Sequence, residues 1–148
     1  MTEWMLRDLD RVCEMRHVIL RYFNVAGADR QGRIGQDTPN ATHLIKVACE
    51  AAVGKRSEVL VFGTDYATPD GTGIRDYIHV DDLSRAHIAV FDKLAQPGAQ
   101  LFYNLGTGKA RTFLDLARST FRTLGKPENI TFIDTPADIR DKYQYFTE

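Results

Sequence analysis

Apolar residues recur along the chain in two alternating patterns, one helical and one extended. In residues 2–15 they fall three or four positions apart with charges between them, at Met5, Leu9, Val12 and Cys13. This spacing predicts an amphipathic helix. The next apolar run, HVILRYFNV at residues 17–25, is nearly continuous and rich in β-branched and aromatic residues. Such a run is typical of a strand covered on both faces in a parallel sheet.

The same alternation continues to the end of the chain. Three more helices are predicted: residues 42–53, a helix capped by Asp81 or Asp82 that runs to Leu94, and one capped by Thr112 that ends near Leu124. Four more strands are predicted, at residues 59–63, 75–80, 101–106 and 130–134. Strands separated by helices of this length form βαβ units, so we expect an α/β fold in a single domain over residues 1–148.

The segments between these elements are rich in glycine, aspartate and proline. AGADRQGRIGQDTPN at residues 26–40 is longer than an ordinary connection, and loops of that length usually bind something. TDYATPDGTG at residues 64–73 and TGKAR at residues 107–111 are also predicted to be loops. The last stretch, TPADIRDKYQYFTE, is polar and aromatic, and no place for it in a core is evident.

Composition and charge narrow the classes of partner. The 148 residues are 43% apolar and 26% charged, and 19 basic against 20 acidic residues give a net charge of −1. This balance offers no electrostatic basis for binding nucleic acid or an anionic membrane. No apolar run approaches the ~20 residues that span a bilayer, so we expect a cytoplasmic protein. Cys13 and Cys49 are expected to be reduced, half-buried thiols, and the histidines show no metal-ligand spacing.

Glycine motifs in the chain are incomplete. The GTG sequences at residues 71–73 and 106–108 begin like the dinucleotide motif G-x-G-x-x-G, but Asp76 and Arg111 stand where the third glycine is needed. No complete phosphate-binding P-loop, G-x-S-x-G or HExxH sequence is present. Asp81 and Asp82 are interpreted as helix caps, not as an acid–base pair. Local motifs therefore give no self-sufficient catalytic site.

Several longer stretches nevertheless resemble one known family when they are taken together and in order. LRYFNVAGAD, THLIKVA, VFGTDYATPDGTGIRDYIHVDDL and YNLGTG closely resemble the C-terminal half of the UDP-glucose 4-epimerase family. That family belongs to the extended short-chain dehydrogenase/reductase superfamily, and DGTGIRDYIHVDDL is its most specific signature here. The resemblance covers about residues 1–108. It implies the C-terminal portion of a Rossmann-type nucleotide-sugar epimerase, acting on UDP-glucose or UDP-galactose with NAD.

The resemblance also implies that part of the active site lies upstream. Family members read SKLMTEWML where this chain opens MTEWML, so the chain would start just past the lysine of the catalytic Tyr-x-x-x-Lys pair. The glycine-rich dinucleotide turn would lie upstream as well. We therefore expect no NAD bound by this chain alone and no catalytic residue within it. The chain would supply the substrate side of the site and would not turn over alone.

Four positions are matched to the diphosphate and the cofactor by the resemblance. Asn24 corresponds to a residue that hydrogen-bonds the substrate diphosphate, and Arg75 to the arginine that grips it. Tyr77 lies in the same signature as Arg75 and is taken as a substrate-binding residue. Phe23 corresponds to the position whose backbone lies near the nicotinamide. A guanidinium suits the diphosphate role because its fixed fork of donors matches phosphate oxygens and stays charged.

Four further positions are matched to the nucleotide. His43 and Leu44 fall where the family meets the nucleotide with the first turn of a helix, whose free N–H groups suit an anion. Leu60 and Phe62 correspond to the positions that flank the uracil. Without the resemblance, both would be interpreted as ordinary strand residues in a core.

Downstream of the signature, the sequence resembles a second family. NLGTGKARTFLDLA and FIDTPADIRDKYQYFTE resemble ADP-glycero-manno-heptose 6-epimerase, a related nucleotide-sugar epimerase. The central part therefore indicates uridine and the tail indicates adenine, and both nucleotides stay open. The expected partner is a UDP-sugar, and the first helix is a candidate surface for a homo-oligomer. An alternative of a different class is a folding or assembly module, or a chimera of the two families, that retains no ligand function.

Overall fold

The secondary structure follows the predicted α/β order. A computed structural model describes residues 1–13, 15–96 and 100–134. Its helices are α1 (Thr2–Val12), α2 (Leu44–Ala52), α3 (Val80–Leu94) and α4 (Phe113–Thr123). Its strands are β1 (His17–Tyr22), β2 (Asn24–Ala26), β3 (Val59–Phe62), β4 (Ile74–His79), β5 (Gln100–Leu105), β6 (Ala110–Thr112) and β7 (Ile130–Ile133). The tail predicted to lack a place in the core lies outside the described residues from residue 135 onward.

Parallel pairing confirms the α/β class and corrects one strand. The run 17–25 is not a single strand, because it breaks at Phe23 into β1 and β2. β1 pairs in parallel with β5, whereas β2 pairs in parallel with β4. β3 pairs in parallel with β7, and β6 is the other neighbour of β4. β6 lies partly in the segment predicted to be a loop.

The helix ends are mostly where the sequence places them, with one correction. The Thr112 hydroxyl caps α4 and accepts a hydrogen bond from the Asp115 N–H at 3.2 Å, as a capping residue should. For α3 the cap is His79, whose ring Nδ1 accepts from the Asp81 N–H at 3.1 Å. The prediction that Asp81 or Asp82 caps this helix is therefore wrong. Both aspartates lie in its first turn, where their negative charges interact favourably with the positive end of the helix dipole.

The described residues fall into two compact units, each built from two separate segments. The first unit consists of Met1–Gln36 and Asp76–Lys109. The second unit consists of Asp37–Arg75 and the chain from Ala110 onward. The single domain expected from the sequence stays a prediction.

The second unit contains a well-filled core. Helices α2 and α4 pack together and against β3. In β3 the burial alternates: Val59 and Val61 are buried, while Leu60 and Phe62 are exposed. Small residues let the two helices approach closely, and the core they form comprises Leu44, Ala48, Ala51, Ala52, Val59, Val61, Leu114, Ala117 and Phe121.

The first unit is thinly covered. No residue of α1 is buried, and its apolar residues Met5, Leu9 and Val12 are 46–81% exposed. An ion pair between Glu3 and Arg21 joins α1 to β1. In β1 only His17 is buried, so the strand is not covered on both faces as the sequence predicts.

Two remaining sequence predictions concern the thiols and the membrane. Cys49 is half-buried, and burial raises the pKa of its thiol. Cys13 is exposed instead of half-buried; it directly follows α1, a helix with no buried residue. Within the described ranges, no helix has the length and apolar character needed to cross a membrane. The cytoplasmic location stays a prediction.

Candidate functional site

A pocket in the second unit brings together three of the residues matched to the nucleotide. Its volume is about 430 Å³. Leu44 from α2 and both Leu60 and Phe62 from β3 lie in its wall. The remaining lining residues are Asn40, Ala41, Thr42, Val47, Arg56, Ser57, Glu58 and Phe113.

Strand alternation explains why β3 contributes to this pocket. Successive side chains of a strand point to opposite faces, so the burial of Val59 and Val61 in the core sends Leu60 and Phe62 to the other face. Their exposed fractions are 37% and 59%. Two apolar side chains are thus left uncovered on one face, where they can hold the faces or edges of a planar ring.

The start of α2 supplies the neighbouring wall. His43 is the N-cap residue of this helix, with extended backbone at φ −68° and ψ 127°. Its side chain forms no capping hydrogen bond and is exposed. Leu44, the first helical residue, is buried at the pocket wall. The two residues matched to a first helical turn are therefore at the first turn, with His43 just outside the set that lines the pocket.

Arg56 also lines the pocket, but it is committed to the protein itself. Its Nε donates to the Glu50 carboxylate at 2.7 Å, and its Nη2 donates to the Ala41 carbonyl at 3.0 Å. The hydrogen bond from Arg56 lowers the pKa of Glu50 below its ordinary value, against the opposing effect of desolvation. Arg56 therefore fixes the chain before α2 to the end of that helix, and it serves the pocket as a wall.

Arg75 is the second residue of β4 and belongs to the second unit. Its side chain is exposed, and Nη1 donates to the Ile74 carbonyl at 2.7 Å. No carboxylate of the described residues forms an ion pair with it. A guanidinium that spends one donor on a backbone carbonyl keeps the others for an anion.

In the first unit, Asn24 and Tyr77 are direct partners in the parallel register of β2 and β4. Both are half-buried. Paired positions on adjacent strands project to the same face of a sheet, so these two predicted substrate residues share a face. Phe23 lies at the break between β1 and β2, and its side chain is 69% exposed.

Asp76 is a residue whose role the sequence does not reveal. Its carboxylate accepts hydrogen bonds from the Thr107 N–H at 3.1 Å, the Thr107 hydroxyl at 2.5 Å and the Gly108 N–H at 2.8 Å. The bond from the Thr107 side chain is the main reason that the pKa of Asp76 lies below its ordinary value. A Cβ at Gly106 would lie only 2.6 Å from the Asp76 carboxylate. Any larger residue at this position would therefore collide with that carboxylate unless the loop or Asp76 shifted. The GTG at residues 106–108 is thus a turn wrapped around an aspartate.

The pocket also contains residues that sequence reasoning missed. Phe113 opens α4 and lies far along the chain from β3, yet it lines the same pocket. Asn40 comes from the end of the long loop, whose length was the only signal for it, and Thr42 lies just before α2, where the sequence predicted the first residue of that helix. Within the part of the chain that the structure describes, no group of three or more acidic, histidine or cysteine side chains could hold a metal ion.

Comparison with known proteins assigns the family. The profile of the NAD dependent epimerase/dehydratase family matches residues 1–106. The chain belongs to this family. Among relatives within the family, UDP-glucose 4-epimerase from Azospirillum brasilense is 52% identical over 134 residues, 90% of this chain and 38% of that protein. UDP-glucose 4-epimerase from Mus musculus is 45% identical over 128 residues, 84% of this chain and 36% of that protein.

Solved structures of the family agree with the fold. A crystal structure of UDP-glucose 4-epimerase from Stenotrophomonas maltophila, with bound NAD and formylated UDP-arabinopyranose, matches with a TM-score of 0.85 and 34% identity. It covers 92% of this chain, and the chain covers 41% of it. UDP-glucose 4-epimerase from Brucella ovis in complex with NAD matches with a TM-score of 0.84 and 42% identity, covering 91% of this chain and 42% of that one.

The extent of these matches bears on the two families that the sequence resembles. The chain spans about 40% of the length of its family relatives. The alignment to the Azospirillum brasilense protein takes in 134 of 148 residues, so it continues well beyond residue 108. The likeness of the tail to a heptose epimerase stays a prediction.

Proposed function

We propose that the chain supplies the nucleotide-sugar side of the active site in an NAD-dependent UDP-hexose 4-epimerase. The observation that carries the proposal is the pocket of the second unit. Leu44, Leu60 and Phe62 were matched to the nucleotide by the sequence alone, and all three line this one cavity.

The pocket suits a nucleobase. Exposed Leu60 and Phe62 offer apolar and aromatic surface to a planar ring, and aromatic stacking on a base contributes about 1–3 kcal/mol. Pockets for small ligands combine such walls with a few polar groups that fix orientation. Asn40, Thr42 and Ser57 provide polar groups in the lining.

Arg75 suits the diphosphate. It lies in the same unit as the pocket, is exposed and has no carboxylate partner among the described residues. Bidentate pairing of arginine with phosphate is among the stronger protein hydrogen-bonding arrangements. Asn24 and Tyr77 belong to the first unit, and their roles in substrate binding stay predictions.

The described residues do not offer the glycine-rich turn on which this family of enzymes would bind NAD. None of the four helices in the described ranges begins at a turn with G-x-G-x-x-G spacing, and the printed sequence contains no such run. Phe23, the one residue matched to NAD, offers only its backbone and an exposed ring. We therefore assign NAD and the proton-transferring residues to a part of the enzyme outside this chain, and the chain alone is expected to bind without turnover.

A titration with UDP-glucose tests the proposal. The isotope-labelled chain is followed by two-dimensional amide NMR, and we expect shifts at residues 40–44, 57–62 and 74–76. Arg75→Ala should weaken UDP-glucose about tenfold or more, because a hydrogen bond to a charged group contributes about 1.5–3 kcal/mol. Uridine, which lacks the diphosphate, should bind both proteins alike.

Arg122→Ala is the matched control, since Arg122 is an exposed arginine of the last turn of α4 in the same unit. It should leave the titration unchanged. Well-dispersed spectra that do not respond to UDP-glucose, or equal losses in the Arg75 and Arg122 variants, would contradict the proposed function.

The exposed apolar face of α1 favours the alternative of an assembly module, with Trp4 74% and Val12 81% exposed. Light scattering over a concentration series separates the two. Oligomers that form regardless of UDP-glucose, in a chain that fails the titration, would support assembly instead of ligand binding. Self-association through α1 stays a prediction.

A further inference from the structure

The loop between β3 and β4 is held closed by its own hydrogen bonds. The Tyr66 N–H donates to the Gly71 carbonyl at 3.1 Å, and the Gly71 N–H donates to the Thr68 carbonyl at 3.2 Å. The Thr68 hydroxyl donates to the Thr72 carbonyl at 2.7 Å. The loop that leads into β4 is therefore a folded turn.

Asp70 and Thr72 form the centre of this turn. One carboxylate oxygen of Asp70 accepts from the Thr72 N–H at 2.9 Å and from the Thr72 hydroxyl at 2.7 Å. The other accepts from the hydroxyl of Thr112, the N-cap of α4. Partial burial of Asp70 works against its charged form, but the hydrogen bonds from Thr112 and Thr72 outweigh it and lower the pKa of the carboxyl.

Two more bonds tie the turn to the start of α4. The Leu114 N–H donates to the Thr72 hydroxyl at 3.2 Å, and the Phe113 N–H donates to the Gly73 carbonyl at 2.9 Å. Thr72 is only 1% exposed. Three consecutive residues at the start of the helix are thus bound to three of the four residues that precede β4.

These hydrogen bonds connect the start of α4 with the residues just before β4. Each of these two segments leads to one part of the candidate site in the second unit. Phe113, held at one end, lines the pocket. Arg75, two residues beyond Gly73 at the other end, is the candidate ligand of the diphosphate. The signature DGTGIRD therefore carries its own anchor ahead of its arginine.

We propose that Asp70 is a positioning residue, which holds the Arg75 guanidinium at the place where a diphosphate attached to a base in the pocket can reach it. The proposal rests on the function proposed above. Asp70 touches no ligand in this account; it acts through the turn and through the cap of α4. Its loss should impair the ligands that need the pocket and Arg75 at once, and spare those that need the pocket alone.

A network that only stabilises the unit would behave differently, because losing it would weaken the pocket as well. The test therefore compares UDP with uridine on the full chain, each titrated by amide chemical shift. Asp70→Ala should weaken UDP about tenfold, since a misplaced arginine forfeits its charge-assisted hydrogen bonds. The uridine affinity of Asp70→Ala should stay within about twofold of that of the unmodified chain. A twofold change is smaller than the loss of one charge-assisted hydrogen bond would cause.

Thr112→Val is the second variant, in case Asp70→Ala fails to fold. It removes the same link from the other side, and Thr112→Ser should restore UDP affinity by restoring the hydroxyl. Asp115→Asn is the matched control. Asp115 lies in the same first turn of α4, but its carboxylate binds Arg111 at 2.7 Å and no residue of the turn.

A double-mutant comparison completes the test. In an Arg75→Ala background, Asp70→Ala should lower UDP affinity by less than about twofold, because the group it positions is already gone. Equal losses for UDP and uridine, an unchanged UDP affinity, or full additivity with Arg75→Ala would each overturn the positioning role while the proposed function stands. Failure of the unmodified chain to bind UDP would overturn both proposals.

Discussion

The two units of the molecule differ in how completely they cover their apolar residues. Among the described residues, the buried apolar side chains lie in the second unit, apart from Ile78 and Leu83. The first unit exposes most of the large apolar side chains that face solvent, with Trp4, Phe91 and Phe102 between 51% and 74% exposed.

Because of this difference, the two units should owe their stability to different interactions. Burial of apolar surface contributes about 25 cal/mol per Å², so the second unit should draw most of its stability from its core. The first unit depends more on strand pairing, on the ion pair between Glu3 and Arg21 and on the turn around Asp76. Substitutions of the same chemistry should therefore have unequal effects in the two units.

The largest contrast is expected between two phenylalanines. Phe121 on α4 is 1% exposed, whereas Phe91 on α3 is 67% exposed. Phe121→Ala should lower the free energy of unfolding by about 3–5 kcal/mol, because it leaves a cavity in the core. Phe91→Ala should change it by about 0.5 kcal/mol or less. Urea unfolding followed by circular dichroism measures both, and similar losses would contradict the contrast.

A smaller contrast is expected between two glycines of the second unit. Gly71 (φ +75°) and Gly54 (φ +78°) share a left-handed backbone, but a Cβ at Gly71 would lie 2.0 Å from the Thr64 carbonyl oxygen and one at Gly54 would meet nothing within 4 Å. Gly54→Ala should cost about 1–2 kcal/mol of unfolding free energy from backbone strain alone. Gly71→Ala should cost more, because the clash adds to that strain and the turn must shift.

Thermal unfolding of the two alanine variants, side by side, gives the measurement. If the Gly71 and Gly54 variants melt at the same temperature, the turn is not tightly closed, and the anchor proposed for Arg75 loses its rigid support.

The smallest effect concerns pH and the turn of the first unit. The pKa of Asp76 is lowered from its ordinary 3.8, so its hydrogen bonds stabilise the fold above pH 3.8 and are lost as the pH falls through the lower folded-state value. The stability gap between the unmodified chain and Asp76→Asn should therefore be widest near neutral pH and should narrow below pH 3.8. Urea midpoints at pH 7 and pH 3 measure it.

Thr107→Val serves as a graded version of the same test. It keeps the Asp76 carboxylate but removes the hydroxyl that donates to it. The stability gap between the unmodified chain and Thr107→Val should also narrow as the pH falls, but by less than the gap for Asp76→Asn. A gap that is the same at both pH values would contradict the role given to the carboxylate.

Local patterns were enough to predict most of the helices and strands. Gly54 ends α2 with φ +78° and Thr112 caps α4, both as their residue types indicate. The break at Phe23 could not be predicted, because no glycine or proline marks it; it arises where β1 and β2 pair with different strands. His79 was missed as a cap because histidine is not among the usual capping residues and two aspartates follow it.

Only part of the candidate site could be predicted from the sequence, for a similar reason. Leu60 and Phe62 could be proposed from the family resemblance, and strand alternation accounts for their exposure. Phe113 could not be proposed, since it joins the pocket through the packing of α4 in the second unit. Asp70 and Asp76 lay within the recognised signature, but their partners lie about thirty to forty positions away in sequence.

The division of each unit into two segments has a consequence for biosynthesis. The pairing of β1 with β5, and that of β3 with β7, can form only after the chain between the two strands has emerged from the ribosome. Pairings so distant in sequence form slowly, and a nascent strand without its neighbour is open to association with other chains. The delay before these two pairings form is therefore set by the rate of translation as well as by the fold.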